Sequence, residues 1–220
     1  MLPLRRAIGG KDQTDTEKLN FGYCSREATM GRSKHLPKVL TPEEQTAILA
    51  QLRADDLTTF RNRCMVRLML DVGLRCGEVV AIRPEHLNVG SGKLIVREGK
   101  GAKDRELWLP LDLNELIESW LERRPPGDWL FPTSHGTKVQ GRYMRVMVKR
   151  CAERAGVQEW RKVSPHTLRH SFATDFLNAT GHIRLLQEIL GHSDVSTTMI
   201  YTHLNSRQIR EAMQGFRSER

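Results

Sequence analysis

The chain has 220 residues, with 35 lysines and arginines against 26 aspartates and glutamates, a formal net charge of +9. Charged residues make up 28% and hydrophobic residues 39%, a globular composition that excludes a disordered tail, a collagen-like chain and a disulfide scaffold. The isoelectric point near 9.7 points to a polyanionic partner, nucleic acid first, although an excess of this kind also serves solubility alone.

Residues 1–36 are polar, basic and poor in apolar side chains, so burial cannot offset the entropy of ordering them; they read as a flexible arm or linker. No apolar run follows Arg5 and Arg6 to make a secretory signal. Order is expected from Leu40, where Thr41 is an N-cap candidate, Pro42 suits the first helical position and Glu44 has capping-box spacing. Helices follow over 42–53 and 58–72, the second stopped by Gly73. Within the second, Arg67 and Asp71 break the apolar pattern well short of the ~20 residues that span a bilayer.

Lys93–Arg97 and Arg105–Leu109 read as two strands of a hairpin, with a glycine-rich basic tip holding Lys100 and Lys103. Helices over 113–123 and 140–155 come next, the first stopped by Pro125-Pro126-Gly127 and the second by Gly156. Ser164 and Pro165 open another helix as N-cap and first residue. A short helix over 182–190 ends at Gly191, one or two turns are expected over 195–201, and a last helix spans 206–216. The fold class is α+β, mainly α, with a small antiparallel sheet.

The four cysteines, Cys24, Cys64, Cys76 and Cys151, include no C-x-x-C pair, so free thiols in a reducing cytoplasm fit better than zinc or disulfides. Basic charge concentrates at Arg142, Arg145, Lys149, Arg150, Arg154, Arg161 and Lys162, with only Glu153 and Glu159 in between. A charge run is usually a solvated helix face. This one leads directly into a helix carrying His166 and Arg169, and both facts together favour a surface for a phosphate backbone.

Single candidates for chemistry are weak. His166, Arg169 and His170 share a helical face, but a cation between two histidines and the lack of a glutamate argue against a metal. Arg75 and Glu78 alone would be a surface ion pair, and Gly99-Lys-Gly101 lacks the spacing of a nucleotide-binding loop. Taken in chain order, however, Gly73-Leu-Arg-Cys-Gly-Glu78, Gly99-Lys-Gly-Ala-Lys103, Ser164-Pro-His-Thr-Leu-Arg-His170, Leu190-Gly-His192 and Thr197-Thr-Met-Ile-Tyr-Thr-His203 resemble the signature blocks of the tyrosine recombinases. The Xer-like and phage-integrase branch is the nearest, and the resemblance covers roughly residues 37–216, which makes 37–220 the expected catalytic domain.

The resemblance implies that Tyr201 is the nucleophile and that Arg75 and Arg169 bind the phosphate, with Lys100, His166 and His192 completing the site and Glu78 supporting Arg75. His170 matches a position taken as structural. Such residue types suit the reaction. Two guanidinium groups grip the anionic oxygens of a phosphodiester through paired charged hydrogen bonds. A tyrosine, with a pKa near ~10, needs a base such as His166 to become nucleophilic. The leaving 5′ oxygen needs a proton, for which Lys100 is the candidate and Lys103 the rival. Neither metal nor cofactor is required.

The activity implied is DNA strand breakage and rejoining by an integrase or site-specific recombinase, through a 3′-phosphotyrosyl link. Alternatives are a catalytically silent DNA-binding regulator and a type IB topoisomerase-like enzyme that only relaxes DNA. Expected partners are double-stranded DNA, contacted by Lys103 and the basic run, and further copies of the chain in a synaptic tetramer that exchange helix 206–216. Members of the family carry a helical DNA-clamping domain before the catalytic domain. Fewer than ~40 residues precede Leu40, too few for such a bundle on the entropy argument above, so an accessory DNA-binding protein is a further expected partner. No membrane partner is expected, and the location implied is the cytoplasm, with the nucleoid.

Overall fold

The computed structural model describes residues 38–53, 55–97 and 104–191. The arm over 1–36, the hairpin-tip lysines Lys100 and Lys103, and the segments 195–201 and 206–216 with His192 and Tyr201 lie outside the described residues. The first helix, α1 (Pro42–Ala50), begins where the sequence places it. Thr41 Oγ1 accepts from the Glu44 amide at 3.2 Å, and Glu44 Oε2 accepts from the Thr41 amide at 3.1 Å. It stops at Ala50 rather than 53, because the amides of Gln51 and Leu52 bond back three residues and the tightened turn sends Leu52 into the core.

The spine of the fold is α2 (Leu57–Asp71). Asp56 caps it, its Oδ1 accepting from the Thr58 and Thr59 amides at 2.8 and 2.9 Å. Phe60, Cys64, Met65, Leu68 and Met69 are buried along it, against α4 (Leu111–Arg123) and α6 (Pro165–Thr180). Gly73 then turns the chain with φ +72°, and a Cβ there would meet Phe172 Cδ1 at 2.3 Å, so only glycine fits. A one-turn helix, α3 (Cys76–Val79), follows.

The sheet has three antiparallel strands in the order β1 (Leu87–Asn88), β2 (Lys93–Val96) and β3 (Arg105–Trp108), with Leu94 opposite Leu107. The β2–β3 hairpin is the expected one, and an Arg97–Asp104 ion pair at 2.7 Å closes its base. Strand β1 is new: two residues are too few to show alternation in a sequence. In α4, Leu113, Ile117 and Trp120 are buried on one face, and Trp120 Nε1 donates to the Leu130 carbonyl at 2.8 Å. Next, α5 (Gly141–Arg154) buries Met144, Met147, Val148, Cys151 and Ala152. A 3-10 turn (Trp160–Lys162) precedes α6, and α7 (Ile183–Leu190) ends at Gly191 in the left-handed conformation. The fold is mostly helical with a small antiparallel sheet, as expected from sequence.

Cys64, Cys76 and Cys151 are free thiols, and burial pushes the Cys64 thiol up to about 12. No helix among the described residues is long and apolar enough to cross a membrane.

Candidate active site

Arg75 is the N-cap of α3, at the point where the chain leaves the Gly73 turn. Glu78, three residues on, reaches back over the helix end: its Oε2 accepts from the Arg75 amide at 2.6 Å and its Oε1 from Arg75 Nη1 at 2.8 Å. The same carboxylate accepts from Arg105 Nη1 at 3.0 Å and Arg105 Nη2 at 2.9 Å, a two-pronged pairing. Arg169 Nη1 stands 3.8 Å from it. Glu78 thus sits among three arginines. Burial pushes its carboxyl up, but the hydrogen bonds and charge of Arg105, with those of Arg75, outweigh it and hold the pKa below the ordinary range.

The same arginines hold the end of α7. Arg105 Nε donates to the Ile189 carbonyl at 2.8 Å, Arg169 Nη2 to Leu190 at 2.7 Å, and Arg75 Nη2 to Gly191 at 3.2 Å. These are three consecutive carbonyls at the negative end of a helix, where orphan acceptors meet cations favourably. Arg169 also donates from Nη1 to the Gly73 carbonyl at 2.6 Å, tying α6 to the turn before Arg75. One carboxylate and one helix end against three guanidinium groups leave the cluster net positive. Arg169 is buried, whereas Arg75 keeps 38% of its side chain exposed and is the arginine that meets solvent.

His166 stands exposed in the first turn of α6, one turn ahead of Arg169. His170, half-buried one turn further on, has its pKa lowered by burial and by the charges of His166 and Arg169. The structure therefore brings Arg75, Glu78 and Arg169 into one cluster and puts His166 on the helix that carries Arg169. The chain reaches this cluster at Gly191, directly before His192. Among the described residues no group of three His, Cys, Asp or Glu side chains could hold a metal.

Arg142, Arg145, Lys149 and Arg150 are all exposed on α5, with Arg161 and Lys162 exposed on the turn packed beside it. Trp160 joins the two: Lys149 Nζ lies 5.6 Å and the Arg161 guanidinium 4.5 Å from its ring centre. Lys162 is paired with Glu159. The basic run is thus one continuous face. It begins beside the arginine cluster, since α5 packs on α3, the short helix that Arg75 caps, and a Cβ at Gly141 would lie 3.8 Å from Cys76 Sγ.

Arg105 is the residue that sequence reasoning missed. Its signal was present: Leu107 and Leu109 are buried and Glu106 and Trp108 exposed, so Arg105 is a cation in phase with the buried face of β3. An arginine placed there needs a buried acid, and Glu78 supplies it.

Residues 38–208 match the phage integrase family. Tyrosine recombinase XerA of Pyrococcus furiosus is 37% identical over 185 residues, an alignment covering 82% of this chain and 62% of that protein. A crystal structure of XerA recombinase superposes with a TM-score of 0.71 at 32% identity, over 83% of this chain and 66% of that one. XerH site-specific recombinase bound to palindromic difH substrate, a post-cleavage complex, gives a TM-score of 0.71 at 30% identity, over 81% of this chain and 53% of that one. The chain spans about six-tenths of the length of the curated relatives it matches.

Proposed function

The chain belongs to the phage integrase family, and on that premise we propose that it is a site-specific DNA recombinase or integrase working through a 3′-phosphotyrosyl intermediate. The observation that carries this reading is the arginine cluster around Glu78, assembled at the end of α7 directly before His192. A net positive, partly buried pair of arginines suits the negative charge that gathers on a phosphodiester in its transition state.

In the proposed reaction Tyr201 attacks the scissile phosphorus while its proton passes to His166. Arg75, Arg169 and His192 hold the non-bridging oxygens. The bond to the 5′ oxygen breaks, and that oxygen takes a proton from Lys100. The phosphodiester energy is kept in the tyrosyl link, so a 5′ hydroxyl of another strand reseals the backbone by the reverse steps. Glu78 and Arg105 act as positioning residues: both orient Arg75, Arg169 and the end of α7 without touching DNA.

The basic face on α5, with Lys103, is the proposed seat of the duplex; that the structural neighbour XerH is bound to its palindromic difH substrate supports DNA as the partner. Residues 37–220 form the catalytic domain in this reading and 1–36 an arm. Further copies of the chain form the synaptic tetramer by exchange of 206–216, and an accessory DNA-binding protein and nucleoid association belong to the same proposal. An apolar groove of about 530 Å³ between β3, α6 and α7, lined by Trp108, Phe172, Phe176, Leu185 and Ile189, suits a segment bearing Ile209, Met213 and Phe216.

A nicked suicide duplex, run on a denaturing gel with chelator present, tests the reading. The wild-type chain is expected to give a covalent adduct and Tyr201→Phe none. No adduct from the wild type would favour a DNA-binding regulator, and an adduct from Tyr201→Phe would overturn the nucleophile.

A further inference from the structure

A cavity of about 360 Å³, with hydroxyl, amide and cationic side chains among its lining, opens between the first turns of α2 and α5 and the loop that precedes α5. Arg61 forms part of its wall and is only 5% exposed. Arg61 Nη1 donates to the Pro132 carbonyl at 2.9 Å, and Nη2 donates to Asn62 Oδ1 and Tyr143 Oη, each at 3.2 Å. The guanidinium also lies 5.3 Å from the centre of the Tyr143 ring. Every one of these partners is neutral, and Nε has no hydrogen-bond partner among the described residues. Among the described residues no carboxylate oxygen forms an ion pair with Arg61. Asp56 feels its charge, but that carboxylate is spent on the Thr58 and Thr59 amides and the Thr59 hydroxyl.

A buried cation without a counter-ion is costly unless an anion arrives to meet it. The end of α5 adds to the same field. Its N-cap, Gln140, makes no side-chain capping bond, its first turn holds no acid, and both Gln140 and Tyr143 line the cavity. The positive end of a helix is therefore unneutralised beside a buried guanidinium. Thr58, Thr137 and Lys138 complete a hydroxyl and ammonium lining, with Lys138 Nζ held 4.5 Å from the Trp129 ring centre.

We propose that this cavity seats a phosphate of the DNA backbone distinct from the scissile one. DNA as the source of that phosphate rests on the recombinase reading. Helix α5 carries Arg142, Arg145 and Lys149 on its exposed side and packs on α3, the short helix that Arg75 caps. The cavity, the basic face and the arginine cluster thus adjoin around one helix end. A phosphate held there fixes the register of the duplex on α5 rather than its sequence, as backbone contacts do.

Thr137→Glu and Lys138→Glu place a carboxylate at exposed positions on the cavity lining, where folding is checked by circular dichroism. Duplex affinity is expected to fall about tenfold, and the slope of log K against log salt to drop by about 0.9, one phosphate contact. Single methylphosphonate linkages scanned along the duplex should include one that costs the wild type this much and costs Thr137→Glu little. Inorganic phosphate should shift the Arg61 Nε–H resonance of the wild type. If both folded variants match the wild type in affinity and salt slope, the seat is overturned while the recombinase reading stands. A phosphate-induced shift with unchanged duplex affinity assigns the cavity to a free anion and overturns the DNA source. A wild-type chain with no duplex affinity at low salt overturns both.

Discussion

Among the described residues, the cluster of Arg169 with Arg105 and the site of Arg61 take arginines out of solvent and compensate them in opposite ways. Arg105 and Arg169 share one carboxylate, Glu78, and each also caps a carbonyl at the end of α7. Among the described residues Arg61 meets a carbonyl, an amide oxygen, a phenol and its ring, all neutral. The first arrangement is internally satisfied and holds segments in place, whereas the second is left open to an incoming negative charge. The difference separates arginines that build a site from one that waits for a ligand.

The largest effect should come from Glu78→Ala, which leaves three guanidinium groups facing one another without their acid. Breaking a buried pair from one side costs about 3–5 kcal/mol, read as a lowered urea midpoint, and adduct formation should disappear with it. Arg105→Ala should cost about 2–3 kcal/mol, since it strips Glu78 and the Ile189 carbonyl of partners. It should also slow adduct formation at saturating DNA by at least ~10-fold, a positioning loss. Arg105→Lys restores the charge but not the fork, so the rate should recover only in part. If Arg105→Ala left the rate intact, α7 would be held by other contacts.

Acid should separate the regions as well. The folded pKa of Glu78 is depressed, so its contribution is present above the ordinary carboxylate value of 4.5 and is lost as pH falls through the lower folded value. Wild-type stability should therefore decline below about pH 4.5 more steeply than that of Glu78→Gln, whose remaining stability carries less of this pH dependence. The smallest effect belongs to Arg61→Met. Arg61 has no ion pair to break among the described residues, and removing an uncompensated buried cation offsets the loss of its three hydrogen bonds, so unfolding free energy should change by about 1 kcal/mol. A loss as large as that of Glu78→Ala would show that Arg61 already has a counter-ion.

This contrast also marks what a sequence discloses. Arg75, Glu78 and Arg169 were legible through the resemblance that their sequence blocks, taken together in chain order, bear to the tyrosine recombinases, whereas the Thr41–Glu44 capping box was legible from its spacing alone. Arg105 was hidden because its meaning depends on which face of β3 is buried and on an acid 27 positions away. Arg61 was hidden more deeply, since an arginine in a helix reads as a solvated residue until Tyr143 and Pro132 close over it from another part of the chain. The strand β1 and the one-turn helix α3 are too short for any periodicity to register. The helices α2, α4 and α5 were readable from the sequence, and their bounds differ from the expected ones by only a residue or two at one or both ends.

The central claim is that this arginine cluster serves a covalent attack by Tyr201 on DNA. Peptide mass mapping of the adduct, after nuclease digestion of its DNA, tests that most directly. The account predicts a nucleotide joined through its 3′ phosphate to the peptide containing Tyr201. A nucleotide on Tyr23 or Tyr143, or a 5′ phosphate in the link, would contradict it.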